Sequence, residues 1–193
     1  TGTSAGIPLI GCDCAVCTST DPHDNRTRTS ALIEWSDPTG QDRAVLIDAG
    51  PDLRQQVLRH NLQRLDAILF THNHVDHLGY RIEPASSLPK PGWMPLAYCT
   101  DVSAIPTKSW PKFAGLKTLV LDALRDRKHP THLTLDEAVS IASRVDADRT
   151  LFVHMSHELA HKATNDSLPE SMALAHDGLT LSENRPDTGL IPA

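Results

Sequence analysis

A mixed α and β fold is predicted, on three observations. Short apolar runs bounded by turn chemistry recur along the chain and outnumber helical patterns. Capped helical stretches fall between some of them. Three of the runs end on, or just before, a residue able to ligate a metal. The 193 residues suit one domain, 1–193, with a sizeable core. A hydrophobic content of 39% and a charged content of 22% fit that class, and no internal repeat or low-complexity tract interrupts it.

After a cysteine-rich opening, Thr29 to Trp35 and Arg43 to Asp48 are predicted strands. Ser36-Asp37-Pro38-Thr39-Gly40 supplies hairpin turn chemistry between them. Pro51 and Asp52 start a helix that runs to about His60, with Asp52 as its N-cap. Leu65 to Phe70 reads as a buried strand, and Glu83 to Gly92, rich in Pro and Ser, as a loop. Leu96 to Cys99 is a short strand leading to Thr100 and Asp101; Thr118 to Leu121 is another, ending at Asp122. Thr134 and Glu137 form a capping box ahead of a helix to about Val145. Thr150 to Val153 is a strand that ends at His154. Met172 to Ala175 and Leu179 to Leu181 flank His176-Asp177-Gly178 as a closing hairpin.

The most specific signal is His72-Asn73-His74-Val75-Asp76-His77, directly after the apolar run Ala67-Ile68-Leu69-Phe70. Four such groups cannot all face a core without polar partners. A metal site satisfies them together, because imidazole and carboxylate are good ligands for zinc, iron or manganese. Neighbouring side chains diverge, so two metals suit the cluster better than one: His72 and His74 for the first, Asp76 and His77 for the second. Asp101 is placed to bridge them, its plainer reading being a turn residue. Two cations roughly 3.5–4 Å apart stabilise attacking and leaving oxygens and lower the pKa of a bound water from about 15.7 to near 7. That is chemistry for hydrolysing an ester, amide or phosphodiester. Neither a phosphate-cradling glycine loop nor a G-x-S-x-G elbow accompanies it.

Cys12, Cys14 and Cys17 stand at C-x-C-x-x-C spacing, which suits a closed tetrahedral zinc site lacking one ligand. His157, three residues after His154, is a candidate fourth; three free thiols on a loop is the plainer alternative. Cys99 reads as a buried small hydrophobe. Of His129 and His132, one is a candidate general acid, against two solvated loop histidines. Asp48 and Asp122 either orient ligand histidines by hydrogen bonding or simply close turns. His23, His60, His161 and His176 read as surface or structural residues.

The net charge of −6 argues against general electrostatic binding to nucleic acid or to an anionic membrane surface. No apolar stretch approaches the roughly 20 residues that span a bilayer, and no secretory leader opens the chain. Three crowded cysteines suit a reducing compartment, so the expected location is the cytoplasm.

The six-residue cluster resembles the signature of the metallo-β-lactamase superfamily, which implies a four-layer αβ/βα sandwich with a dinuclear site at its edge. Gly2-Thr3-Ser4, the run Gly11 to Cys17, and His154-Met155-Ser156-His157 resemble one branch more closely. That branch is the phosphoribosyl cyclic phosphate phosphodiesterase and its relatives, neighbours of ribonuclease Z. The resemblance implies His72 and His74 on one metal, Asp76, His77 and His154 on the other, and Asp101 bridging. It implies a structural zinc on Cys12, Cys14, Cys17 and His157, and a catalytic role for His132 beside Asp76. Two catalytic divalent metals, zinc or manganese, would then activate water against a small (cyclic) phosphodiester, in a chain compatible with a homodimer. A lactamase- or thioesterase-like hydrolase on the same scaffold, and a degenerate zinc-binding member without catalysis, are the alternatives. A nuclease role fits less well, because no basic arm tracks a nucleic-acid backbone. One departure stands out. The family carries a further histidine ligand before the bridging aspartate, yet no histidine occurs between His77 and His129. The join Leu78-Gly79-Tyr80-Arg81 reads like two family phrases run together, so a stretch missing between Leu78 and Gly79 is favoured over a lost subdomain.

Overall fold

A computed structural model describes residues 1–71, 78–85 and 90–182. Two sheets carry the fold. The first has the order β1-β2-β3, from Ala31–Ser36, Asp42–Ile47 and Ala67–Leu69. The second has the order β4-β5-β6-β7-β8, from Tyr80–Ile82, Leu96–Cys99, Thr118–Asp122, Arg149–Val153 and Met172–Leu174. β1 and β2 form the expected antiparallel hairpin, with Ala31 opposite Ile47. β5, β6, β7 and β8 run parallel, so their carboxyl ends share one edge.

Alternation along these strands divides the core. Ala97, Cys99, Leu119, Leu121 and Phe152 face one way and pack with Leu135, Ala138 and Ala142 of helix α2, Leu135–Val145. Leu96, Tyr98, Val120, Leu151 and Val153 face the other way and meet Ile47, Ala31 and Ile33 of the first sheet. A strand buried on both faces reads as a continuous apolar run, which is why Thr118–Asp122 was legible. α2 starts where its capping box requires: Glu137 N–H donates to Thr134 Oγ1 at 3.2 Å, and Thr134 N–H to Glu137 Oε2 at 3.0 Å. Such a cap is worth about 1 kcal/mol.

Several expectations need correction. Asp52 precedes helix α1, Leu53–Arg59, but makes no side-chain cap. Its carboxylate is taken by Arg28, whose backbone N–H and Nη1 each donate to it at 2.8 Å. β3 is apolar but not buried: Ile68 and Leu69 are each 38% exposed. It is an edge strand with β2 on one side, and among the described residues nothing pairs with its other side. The closing hairpin also fails, because β8 pairs in parallel with β7 and no return strand follows among the described residues. The turn is held instead by the Asp177 carboxylate, which accepts from Thr27 N at 2.8 Å and Thr27 Oγ1 at 2.6 Å. The short strand β4 gave no apolar run to read. Gly79 leads into it at φ 144°, where a Cβ would lie 2.0 Å from the Tyr98 carbonyl oxygen, so only glycine fits.

His23, His161 and His176 form a cluster, with the His23 ring centroid 4.7 Å from His161 and 4.3 Å from His176. His161 opens the short helix α3, His161–Asn165. Burial first, then the neighbouring imidazoles and Arg26, pull His161 down to about 4, and burial lowers His176 as well. An unfolded imidazole titrates near 6.5. Between those values the unfolded chain holds the extra proton, so stability falls as pH falls from about 6.5 towards 4. The expected loss is about 2 kcal/mol after discounting for solvent screening. Urea titrations of His161→Phe across that window should show a shallower acid slope than the parent; an equal slope contradicts the assignment.

Candidate metal centre

The parallel strands deliver polar residues to one edge. Asp101 lies two residues beyond β5, Asp122 closes β6, and His154 follows β7. His132 joins them from the loop before α2. Asp101, His132 and His154 each present one ligand atom so that all three atoms lie within 4.8 Å of one another. His132 Nδ1 lies 3.0 Å from Asp101 Oδ1, and the His132 and His154 rings are 4.8 Å apart. Behind them, fully buried Asp122 places Oδ1 2.9 Å from His154 Nδ1 and 3.8 Å from His132 Nδ1. Its Oδ2 accepts from Leu133 N at 3.1 Å, which fixes the backbone next to His132. Burial pushes the Asp122 carboxyl up, opposed by His154, His132 and the Leu133 amide. Burial likewise lowers the His132 imidazole, against the pull of Asp122.

Asp122 Oδ1, His132 Nδ1 and His154 Nδ1 approach closely yet align too poorly to count as hydrogen-bonded. Imidazoles and carboxylates gathered at a sheet edge in this way fit a divalent metal by donor chemistry. The backbone is strained to achieve it. Asp48, Asp101 and His154 hold φ of 60°, 61° and 61°, in the left-handed region. That conformation costs an L-residue about 1–2 kcal/mol, and strain of this kind collects at functional sites. No sequence pattern announces it.

His72, His74, Asp76 and His77 lie outside the described residues. Their entry point is held, however. Asp48 Oδ1 accepts from Thr71 N at 2.8 Å and Oδ2 from Thr71 Oγ1 at 2.6 Å, so the strand end before His72 is pinned to the end of β2. The His129 ring is half-buried and lies tilted beside that of His132, 4.8 Å away. Of the two loop histidines, His132 is the one that reaches the cluster.

The second group also assembles. Cys12, Cys14, Cys17 and His157 present ligand atoms within 4.8 Å of one another, from opposite ends of the chain. His157 Nδ1 lies 3.4 Å from Cys12 Sγ and 3.2 Å from Cys14 Sγ. The Cys17 amide, then His157, lower the Cys14 thiol to about 6, while burial raises Cys17 to about 11. Three thiols and an imidazole at this separation fit a tetrahedral zinc site. Cys99 is buried and belongs to neither group, its thiol pushed up to about 12 by burial.

Comparison with known proteins follows the same lines. The model of the Beta-lactamase superfamily domain matches residues 43–89 and 78–155, together more than half of the chain. A solved structure described as a new diphosphatase from the PhnP family is 36% identical, covers 94% of each chain and superposes with a TM-score of 0.80. Zinc-bound PqqB from Methylobacterium extorquens, at 18% identity, shares the fold over 94% of this chain and 97% of its own, with a TM-score of 0.67. A Porphyromonas gingivalis protein named octanoyltransferase is 53% identical over 78 residues, 40% of this chain. The chain spans only 15% of that relative's length. On the family model, the shared fold and the full-length similarity, the chain belongs to the metallo-β-lactamase superfamily, in its PhnP-like branch.

Proposed function

We propose that the chain is a metal-dependent hydrolase whose substrate is a small phosphodiester. The observation that carries the reading is the convergence of Asp101, His132 and His154 on the sheet edge. Similarity to a PhnP-family diphosphatase over 94% of both chains favours phosphorus chemistry within the superfamily. His72, His74, Asp76, His77, Asp101 and His154 would hold two divalent cations, zinc or manganese. When bound, such a pair polarises phosphoryl oxygens and supplies hydroxide near neutral pH.

The protein's own groups do the rest. Asp122 faces His154 as a close charged neighbour and, through the Leu133 amide, holds the loop of His132. His132 turns Nδ1 towards Asp101 and Asp122, and we assign its other nitrogen the proton handed to the leaving oxygen. Cys12, Cys14, Cys17 and His157 would hold a structural zinc that fixes the opening loop without taking part in the reaction.

The chain is read as one domain, 1–193, from which a stretch is absent between Leu78 and Gly79. The family model matches in two pieces that overlap at 78–89, around that join. Next to it, Leu65, Ile68, Leu69 and Phe70 are exposed, and a cavity of about 470 Å³ lies between the sheets. Both are places for further chain to pack.

Protein loaded with zinc or manganese should cleave an aryl phosphodiester, and a chelator should abolish the activity. Turnover confined to lactams or thioesters would overturn the substrate class.

A further inference from the structure

We propose that Arg26 is the positioning residue that keeps the two metal sites in register, by clamping the chain at Ser156 and Leu159, on either side of His157 and directly after the His154-Met155 step. The inference rests on the metal sites assigned under the proposed function. His154 and His157 stand at the two ends of four residues, yet serve different sites. Whatever fixes that stretch therefore sets both.

Arg26 has a side chain with no solvent exposure. Its Nη1 donates to the Ser156 carbonyl at 2.9 Å and its Nη2 to the Leu159 carbonyl at 2.6 Å, so the guanidinium grips the chain on either side of His157. Nη2 also meets Asp24 Oδ1 at 3.2 Å, and Nε donates to the His23 carbonyl at 3.3 Å. Asp24 in turn accepts from His161 N at 2.8 Å, which extends the grip to the start of α3. The backbone of Arg26 faces the other way. It exchanges two hydrogen bonds with Ile7, of 2.8 and 3.0 Å, on the segment that leads into Cys12–Cys17. One residue thus ties the cysteine loop to the histidine turn.

Burying an arginine is unfavourable unless its donors are used, and burial lowers the affinity of Arg26 for its proton. A fixed fork of donors is what the position needs: two carbonyls three residues apart, a carboxylate and a third carbonyl. Lysine keeps the charge but cannot reach these acceptors together.

The test uses cobalt as a spectroscopic stand-in for zinc, on the full chain. Arg26→Lys is compared with wild type and with Leu119→Ala, a variant of a fully buried core residue that belongs to neither site and so reports the effect of lost stability alone. Arg26→Lys should shift the cobalt d–d and thiolate charge-transfer bands and weaken metal affinity, read by competition with a chelator, about tenfold or more, as losses around metal ligands typically do. Leu119→Ala should retain the parent spectrum. If Arg26→Lys and Leu119→Ala behave alike, Arg26 contributes stability only and the inference fails, the sites standing. If wild type shows no thiolate band at all, the cysteine site itself is wrong.

Discussion

Cys14→Ser is expected to destabilise the protein by about 3–5 kcal/mol and to remove about one zinc per chain. The site joins residues 12–17 to residue 157, so it closes a loop of most of the chain, and cross-links over long loops restrict the unfolded ensemble most. Structural zinc sites reach apparent binding energies of roughly 10–16 kcal/mol in small peptides that fold only with metal. Here a sheet core exists without the metal, which is why a smaller loss is expected. Cys14 is the informative position because it lies 3.2 Å from His157 Nδ1 and accepts from the Cys17 amide at 3.5 Å. Urea midpoints with parallel zinc analysis measure both quantities. Unchanged stability and zinc content would mean that three free thiols occupy the loop.

The second large effect is on turnover. His132→Asn should lower kcat by about 10²–10⁴-fold, the range of a lost proton-transfer group, with metal content unchanged. Asp122→Asn should cost less, about 10–100-fold, and should loosen the metal, because Asp122 acts through His154 and the His132 loop. The pair separates two roles that geometry alone leaves together, since His132 is close enough to Asp101 and His154 to be a ligand itself. If His132→Asn strips metal in proportion to activity, His132 is a ligand and another group protonates the leaving oxygen.

Much of this architecture was legible in the chain. Strands buried on both faces, such as Leu96–Cys99 and Thr118–Asp122, announce themselves as apolar runs. The Thr134–Glu137 box marks a helix start by side-chain chemistry alone. Spacing marked Cys12, Cys14 and Cys17 and left His157 as a candidate that the family resemblance favoured, 140 positions beyond Cys17 in the chain. Legibility failed where tertiary partners overrode local preference. Asp52 looked like a cap, but Arg28 competes for it. Ile68 and Leu69 looked like core, but β3 is an edge strand. Asp177 looked like hairpin chemistry, yet it is held by Thr27, 150 residues away. Arg26 was invisible, because nothing local distinguishes a buried arginine from a solvated one. The positive φ angles of Asp48, Asp101 and His154 belong to the packed site and leave no trace in composition.

Elemental analysis of protein loaded with zinc or manganese and freed of excess metal tests the central claim most directly. Two sites, one dinuclear and one built on thiolates, predict about three ions per chain. A count of about one, lost on Cys14→Ser and unaffected by Asp101→Asn or His154→Asn, would leave only the structural zinc and contradict a catalytic metal pair.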